Sequence, residues 1–131
     1  MCEALGLDKP LDNLSLSDVS YRYMELRPPS FFTLASLIDG PLHGYAIMRR
    51  ASELSGGAVK VSTGTLYSIL DRALTEGLVV AGEPYVVSGR ERREYTLTPA
   101  GRLVLQEESA RLARAARVVG TRLRATGAPA T

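Results

Sequence analysis

The sequence predicts a mostly α-helical fold carrying one small two-stranded antiparallel β-ribbon, and three observations predict it. Apolar residues recur at helical spacing in three stretches before residue 75. A β-prone stretch punctuated by turn residues follows over 78–97. An arginine-bearing heptad pattern then runs toward the end of the chain.

Residues 1–23 show poor periodicity, with Pro10 and a Leu/Ser/Asp alternation from Leu14 to Asp18, and read as a weakly structured or docking extension. Met24 opens a run, Met-Glu-Leu-Arg-Pro-Pro-Ser, that looks like a second natural start. Pro28 and Pro29 suit the first turn of a helix, where their missing N–H groups are not needed. Phe31, Leu34, Ala35, Leu37 and Ile38 then share one helical side until Asp39-Gly40-Pro41 ends it. Gly44 opens a second helix to Leu54, with Tyr45, Ile47, Met48, Ala51 and Leu54 expected on its apolar side and Arg49, Arg50 and Glu53 in water. The clearest element comes next. Ser62 is a good N-cap, Leu66, Ile69, Leu70, Ala73 and Leu74 form an apolar stripe, and Gly77 stands where a left-handed C-cap is wanted.

After Gly77 the period changes. Leu78-Val79-Val80-Ala81 and Tyr85-Val86-Val87 are β-prone, Ser88-Gly89 signals a turn, and Arg93 to Leu97 alternates. The expected ribbon carries Arg90, Arg92 and Arg93 at its tip, with Tyr95 anchoring it in the core. Thr98 and Pro99 then supply the N-cap and first position of a last helix. On it Leu105, Leu112 and Val119 repeat every seven residues, with Ser109, Ala116 and Leu123 four further on, an apolar seam suited to pairing two copies. Gly120 is expected to weaken its end. The implied division is an extension over 1–23, a compact unit over 24–98, a pairing helix over 99–125 and a tail over 126–131.

Composition narrows the chemistry. The 131 residues carry 16 Lys+Arg against 14 Asp+Glu, with one cysteine and one histidine. Cys2 alone forms no intrachain disulfide, which suits a reducing cytosol, and the N-terminus does not read as a secretory signal. The longest apolar stretch, Phe31 to Ile38, is too short for a membrane span. Neither a His/Cys metal site nor a phosphate-cradling glycine motif can be assembled, and a Ser-His-Asp arrangement would have to run through His43. No cofactor, metal or enzymatic role is expected. The charge is uneven: residues 102–131 hold six arginines against Glu107 and Glu108. Such a run reads as flanks of the pairing seam, or else as a basic amphipathic face for membrane or acidic partners.

Helix, helix, capped helix and ribbon, in that order, make a winged helix-turn-helix followed by a dimerisation helix. The stripe of the capped helix leaves Thr63, Thr65, Tyr67, Ser68 and Arg72 for another surface, next to Lys60 and Ser62. A small, hydroxyl-rich first turn can enter the major groove of double-stranded DNA with free N–H groups facing phosphate. Arg90, Arg92 and Arg93 then stand where a wing meets backbone or minor groove. A winged helix that binds protein instead of DNA is the rival reading, since fold does not fix function.

Four ordered blocks narrow this further: Leu42-His43-Gly44-Tyr45, Gly64-Thr65-Leu66-Tyr67-Ser68-Ile69-Leu70, Glu76-Gly77-Leu78-Val79, and Arg93-Glu94-Tyr95-Thr96-Leu97-Thr98-Pro99-Ala100-Gly101-Arg102. Over about 24–125 the chain resembles the PadR family of bacterial transcriptional regulators. That resemblance implies a winged-helix DNA-binding domain, a C-terminal dimerisation helix, and repression relieved by a small-molecule inducer. Leu34, Leu37, Leu105 and Leu112 are the candidate lining of an inducer cavity near the two-fold axis, or equally members of a filled core. Within the signature His43-Gly44-Tyr45, Gly44 is read as a tight helix start and Tyr45 as a packing residue, with a phosphate contact from the Tyr45 hydroxyl as the alternative.

Overall fold

In a computed structural model of the chain, the described residues are 26–127. The expectation of a docking extension over 1–23 lies outside them, as does the tail beyond Gly127. The described elements are α1 (Pro28–Ala35), β1 (Leu42–His43), α2 (Gly44–Leu54), α3 (Thr63–Thr75), β2 (Val79–Ala81), β3 (Tyr85–Val87), β4 (Arg90–Arg92), β5 (Glu94–Leu97) and α4 (Pro99–Ala125).

Pro28 and Pro29 occupy the first turn of α1, as their fixed φ favours. The α-helix closes at Ala35, earlier than the apolar pattern suggests. The next turn tightens to i→i+3 bonds, Leu37 N to Leu34 O and Ile38 N to Ala35 O, both 3.1 Å. Tightening keeps Leu37 in the core and leaves Ile38 half exposed.

The core gathers Leu34, Leu37, Ile47, Leu66, Leu70, Leu78 and Val79, drawn from all three short helices and the start of the sheet. Each fully buried Leu or Ile contributes roughly 1.5–3 kcal/mol of transfer free energy. Of the side expected to be apolar on α2, Ile47 and Ala51 are buried, whereas Tyr45 is 64% exposed and Leu54 45%.

The ribbon is more elaborate than two strands. β5 pairs on one side with β2 (Val79↔Leu97, Val80↔Thr96, Ala81↔Tyr95) and on the other with the two residues of β1 (Leu42↔Tyr95, His43↔Glu94). Beyond Gly82-Glu83-Pro84 the hairpin resumes as β3 and β4, with Tyr85 opposite Arg92 and Val87 opposite Arg90. Ser88 and Gly89 both take positive φ (52° and 77°), the two-residue turn whose twist matches a hairpin.

Helix α4 begins as expected. Thr98 Oγ1 accepts from Gly101 N at 3.0 Å and donates to Gly77 O at 2.7 Å, tying the helix start to the end of α3. Val104 and Leu105 bury against the core, and Gly101 passes so close to β2 that a Cβ would overlap the Leu78 carbonyl oxygen. The helix runs through Gly120 without a break and ends at Ala125. From Ser109 to Val119 every residue is exposed. No helix among the described residues is long and apolar enough to cross a membrane.

Candidate nucleic-acid interface

The first turn of α3 is built by its cap. Ser62 sits in extended backbone, its Oγ accepts from Thr65 N at 3.2 Å and donates to Thr65 Oγ1 at 3.0 Å. Leu66, Ile69, Leu70 and Ala73 face the core, which turns Thr63, Thr65, Tyr67, Ser68 and Arg72 outward. Lys60 is exposed just before the cap. Arg72 reaches Glu76 only at 4.0 Å and stays largely in solvent.

Tyr67, 44% exposed, is not free surface. Its hydroxyl lies over the first residue of α2, where a Cβ on Gly44 would stand 2.7 Å from the phenol oxygen and 3.4 Å from Leu66 Cδ2. Gly44 is therefore needed for close approach as well as for a helix start. Tyr45, expected to pack, points to solvent instead, with the Arg49 guanidinium 6.0 Å from its ring centroid. The physical reason is geometry at the helix start: Ile47, Met48 and Ala51 of α2 turn to the core, and the first exposed turn carries Tyr45 toward the ribbon.

The three wing arginines do not share one environment. Arg90 and Arg93 are exposed, as expected of a tip. Arg92 folds back: its Nη1 lies 3.2 Å from His43 Nδ1, and its Nε is buried with no hydrogen-bond partner among the described residues. Arg90 and Arg92 lie on the same face of β4, so strand alternation does not separate them; the contact with His43 does. Arginine is protonated throughout the accessible pH range, so it donates here and His43 Nδ1 accepts, which places the imidazole hydrogen on Nε2. Sequence reasoning missed this use of His43. No local signal separates Arg92 from Arg90, because the contact with His43 spans 49 residues.

These pieces border one cleft of about 520 Å³ between the wing, the first turn of α3 and the start of α2. Met48, Leu66 and Tyr95 form its floor, and Thr63, Tyr45, Tyr67 and the arginines its rim. Burial holds the Tyr95 phenol above its ordinary range, with Tyr67 adding to the shift and Arg93 opposing it. Among the described residues no group of His, Cys, Asp or Glu could hold a metal ion.

The residues expected at a dimer seam divide. Leu105 packs in the core of its own chain, 5% exposed, because it falls within the first two turns of α4 where the helix crosses the domain. Leu112, Ala116, Val119 and Leu123 are exposed farther along. The expected inducer lining is also redistributed. Leu34 and Leu37 are sealed in the filled core, and Leu112 stands on the open helix. Of the four only Leu105 borders the groove of about 510 Å³ between α1 and α4, alongside Phe31, Ile38 and Ala113.

Three helices, with the third capped and open at its N-terminal turn, followed by an antiparallel hairpin, define a winged helix-turn-helix protein. The transcriptional regulator PadR-like family matches residues 33–107, and the chain belongs to that family, whose members are regulators and not enzymes. Transcriptional regulator Rv3488 of Mycobacterium tuberculosis is 44% identical over 81 residues, 62% of this chain and 72% of that protein. An uncharacterised 37.1 kDa protein of a Streptomyces fradiae transposon is 38% identical over 91 residues, 70% of this chain but 25% of its own length. Among solved structures, Bacillus subtilis PadR in complex with operator DNA superposes with a TM-score of 0.54 at 26% identity, covering 62% of this chain and 47% of that one.

Proposed function

We propose that the chain is a sequence-specific DNA-binding transcriptional regulator that works as a homodimer and represses its target until a small-molecule inducer releases it. One observation carries the DNA reading. Thr63 and Tyr67 of α3 border the same cleft as Arg90 and Arg93 of the wing, so a turn able to read bases and a ribbon able to neutralise phosphates face one surface. The hydroxyl-rich, uncharged first turn suits base edges, and the arginines suit the backbone. The operator complex of the Bacillus subtilis relative supports this reading by likeness.

The homodimer reading rests on α4. Leu112, Val119 and Leu123 are 44%, 57% and 55% exposed, and a second copy of the same helix would bury them symmetrically. Pairing would also close the groove between α1 and α4, the best-placed apolar cavity for an inducer. The cleft shared by α3 and the wing is lined by arginine, a threonine hydroxyl and tyrosine, which favours DNA over a protein partner. The test is selection of bound duplexes from a randomised pool. An enriched inverted repeat, with half-sites about 10 base pairs apart or a multiple of that, is the expected result. A pool that stays random, or an enriched single half-site, contradicts it.

A further inference from the structure

The distal hairpin of the wing is held by little. β3 and β4 pair only with each other, whereas β5 is paired on both sides. The β2–β5 ladder ends at Ala81↔Tyr95, and pairing resumes at Tyr85↔Arg92. Gly82-Glu83-Pro84 on one strand therefore span the same gap as Arg93-Glu94 on the other, an unequal break at which the hairpin can pivot. A two-stranded hairpin on its own is marginal in water. From Gly82 to Glu91 every residue is exposed, and Arg92 is the exception. Its Nη1 on His43 Nδ1 is the one side-chain hydrogen bond, among the described residues, that ties the hairpin to the body of the domain. Arg92 Nε is sealed without a partner, so the closed position of the guanidinium leans on His43. His43 in turn is the N-cap residue of α2 but makes no side-chain cap bond, so its ring serves the wing and not its own helix.

We propose that Arg92 and His43 form a proton-released latch that positions the wing: neutral His43 holds the hairpin against the start of α2, and protonated His43 lets it go. A protonated ring donates from both nitrogens, so Nδ1 no longer accepts and two positive groups stand in contact. The start of α2, directly after His43, is also the positive end of a helix dipole. Glu94 stands opposite His43 in the β1–β5 register and offers the charged ring another partner. Of the other charged groups on the shared cleft, Arg90 and Arg93 add to the repulsion and Glu91 opposes it. Tyr45 of α2, Tyr67 of α3 and Tyr95 of β5 also line it, and a phenol stays uncharged from about pH 5 to 8. Histidine is the side chain whose charge changes in that interval, and the chain has one. Arg92 is thus a positioning residue of the wing, which leaves Arg90 and Arg93 for phosphate. The consequence for DNA alone rests on the proposed function: with the hairpin loose, wing and α3 no longer meet a duplex in one register, and discrimination between duplexes falls.

The experiment follows backbone nitrogen relaxation of the full chain, without DNA, from about pH 7.5 to about pH 5, alongside the His43 ring resonances. Order parameters over residues 85–92 are expected near about 0.85 at the upper pH and below about 0.6 at the lower, with β5 unchanged and the midpoint shared with the ring titration. His43→Leu is expected to loosen the hairpin at both pH values. His43→Asn, whose amide oxygen can stand where Nδ1 stood, is expected to keep it ordered at both. Should His43→Leu unfold, Arg92→Leu removes the same bond from the other side and carries the same expectation. Should every variant unfold, the shared midpoint in the unmodified chain decides. A hairpin equally ordered at both pH values, a loosening whose midpoint departs from the ring titration, a hairpin still ordered in folded His43→Leu, or an acid loosening that persists in folded His43→Asn each overturns the latch. In a second arm, the ratio of affinities for the selected and a scrambled duplex should fall at least about threefold between the two pH values, since the general gain of positive charge acts on both duplexes and cancels. An unchanged ratio with a loosened hairpin overturns the consequence for DNA, whereas a chain whose wing loosens and that binds no duplex overturns the proposed function alone.

Discussion

The Tyr67 hydroxyl lies over Gly44, at a distance that leaves no room for a Cβ: an alanine there would stand 2.7 Å from the phenol oxygen. This contact joins the recognition-helix candidate α3 to the start of α2. It fixes one tyrosine that sits away from the apolar stripe. Gly44→Ala pushes on the far end of a half-exposed ring, so Tyr67 swings outward while the core holds. The expected outcome is a loss of less than about 1 kcal/mol in unfolding free energy, with a measurable fall in DNA affinity. Adding Tyr67→Phe removes the oxygen and relieves the clash, so a double-mutant cycle in urea should give non-additivity of about 0.5 kcal/mol or more.

Gly101 is the opposite case, since its obstacle is backbone. A Cβ would overlap the Leu78 carbonyl oxygen and approach Leu97 Cδ1 within 2.7 Å, and neither the strand nor the helix can yield cheaply. Gly101→Ala should cost about 2–3 kcal/mol, read as a lower denaturant midpoint. Thr98→Val removes the cap and the bond to Gly77, and should cost about 1 kcal/mol.

Much of this was legible in the sequence, and the reason is locality. Ser62 and Thr98 cap their helices through bonds spanning three residues, so the chemistry that starts each helix is written next to it. The stripe from Leu66 to Ala73 is likewise local periodicity. What stayed hidden depends on distant pairing. β1 has two residues and exists only because Leu42 and His43 meet Tyr95 and Glu94 across the chain. Arg92 looks like its neighbours in sequence, and only the contact with His43 distinguishes it. A heptad spacing shows that Leu105 and Leu112 share a face of α4 but not what covers each. Leu105 meets its own core and Leu112 does not.

That division predicts different fates for two aspartates. Leu112→Asp should leave the fold intact and yield monomers at micromolar concentration, because two carboxylates would meet in the proposed seam. Leu105→Asp should unfold the chain by placing a charge in the core. Sizing and circular dichroism check both. A Leu112→Asp variant that remains a dimer shows that the seam lies elsewhere.

The pair Glu108–Arg111 gives a pH-dependent handle on α4. Arg111 donates through Nε at 2.8 Å and through Nη2 at 2.6 Å, and these bonds hold the Glu108 carboxyl below its ordinary range, against a smaller opposing effect of burial. A depressed folded-state value means the contribution is present above the unfolded carboxylate pKa of about 4.3 and is lost as pH falls through the folded value. The stability difference between the chain and Arg111→Ala should therefore be seen near neutral pH and vanish in acid. A difference that persists in acid assigns it to packing of the arginine stem.

Arg90→Ala with Arg93→Ala should lower the slope of log affinity against log salt by up to about 0.9 per lost phosphate contact, equally on any duplex. Thr65→Ala, by contrast, should cost more on the selected site than on scrambled DNA, since base contacts carry discrimination of about 1–3 kcal/mol. Equal losses on both duplexes would make Thr65 a positioning contact.

The most direct test of the central claim is the affinity of the unaltered chain for its selected duplex and for a scrambled duplex, measured by fluorescence anisotropy across a salt series. The proposed function predicts steep salt dependence on both duplexes and a preference of about 10³ or more for the selected site near physiological salt. Weak binding to both, or the same affinity for the two duplexes at every salt concentration, contradicts it.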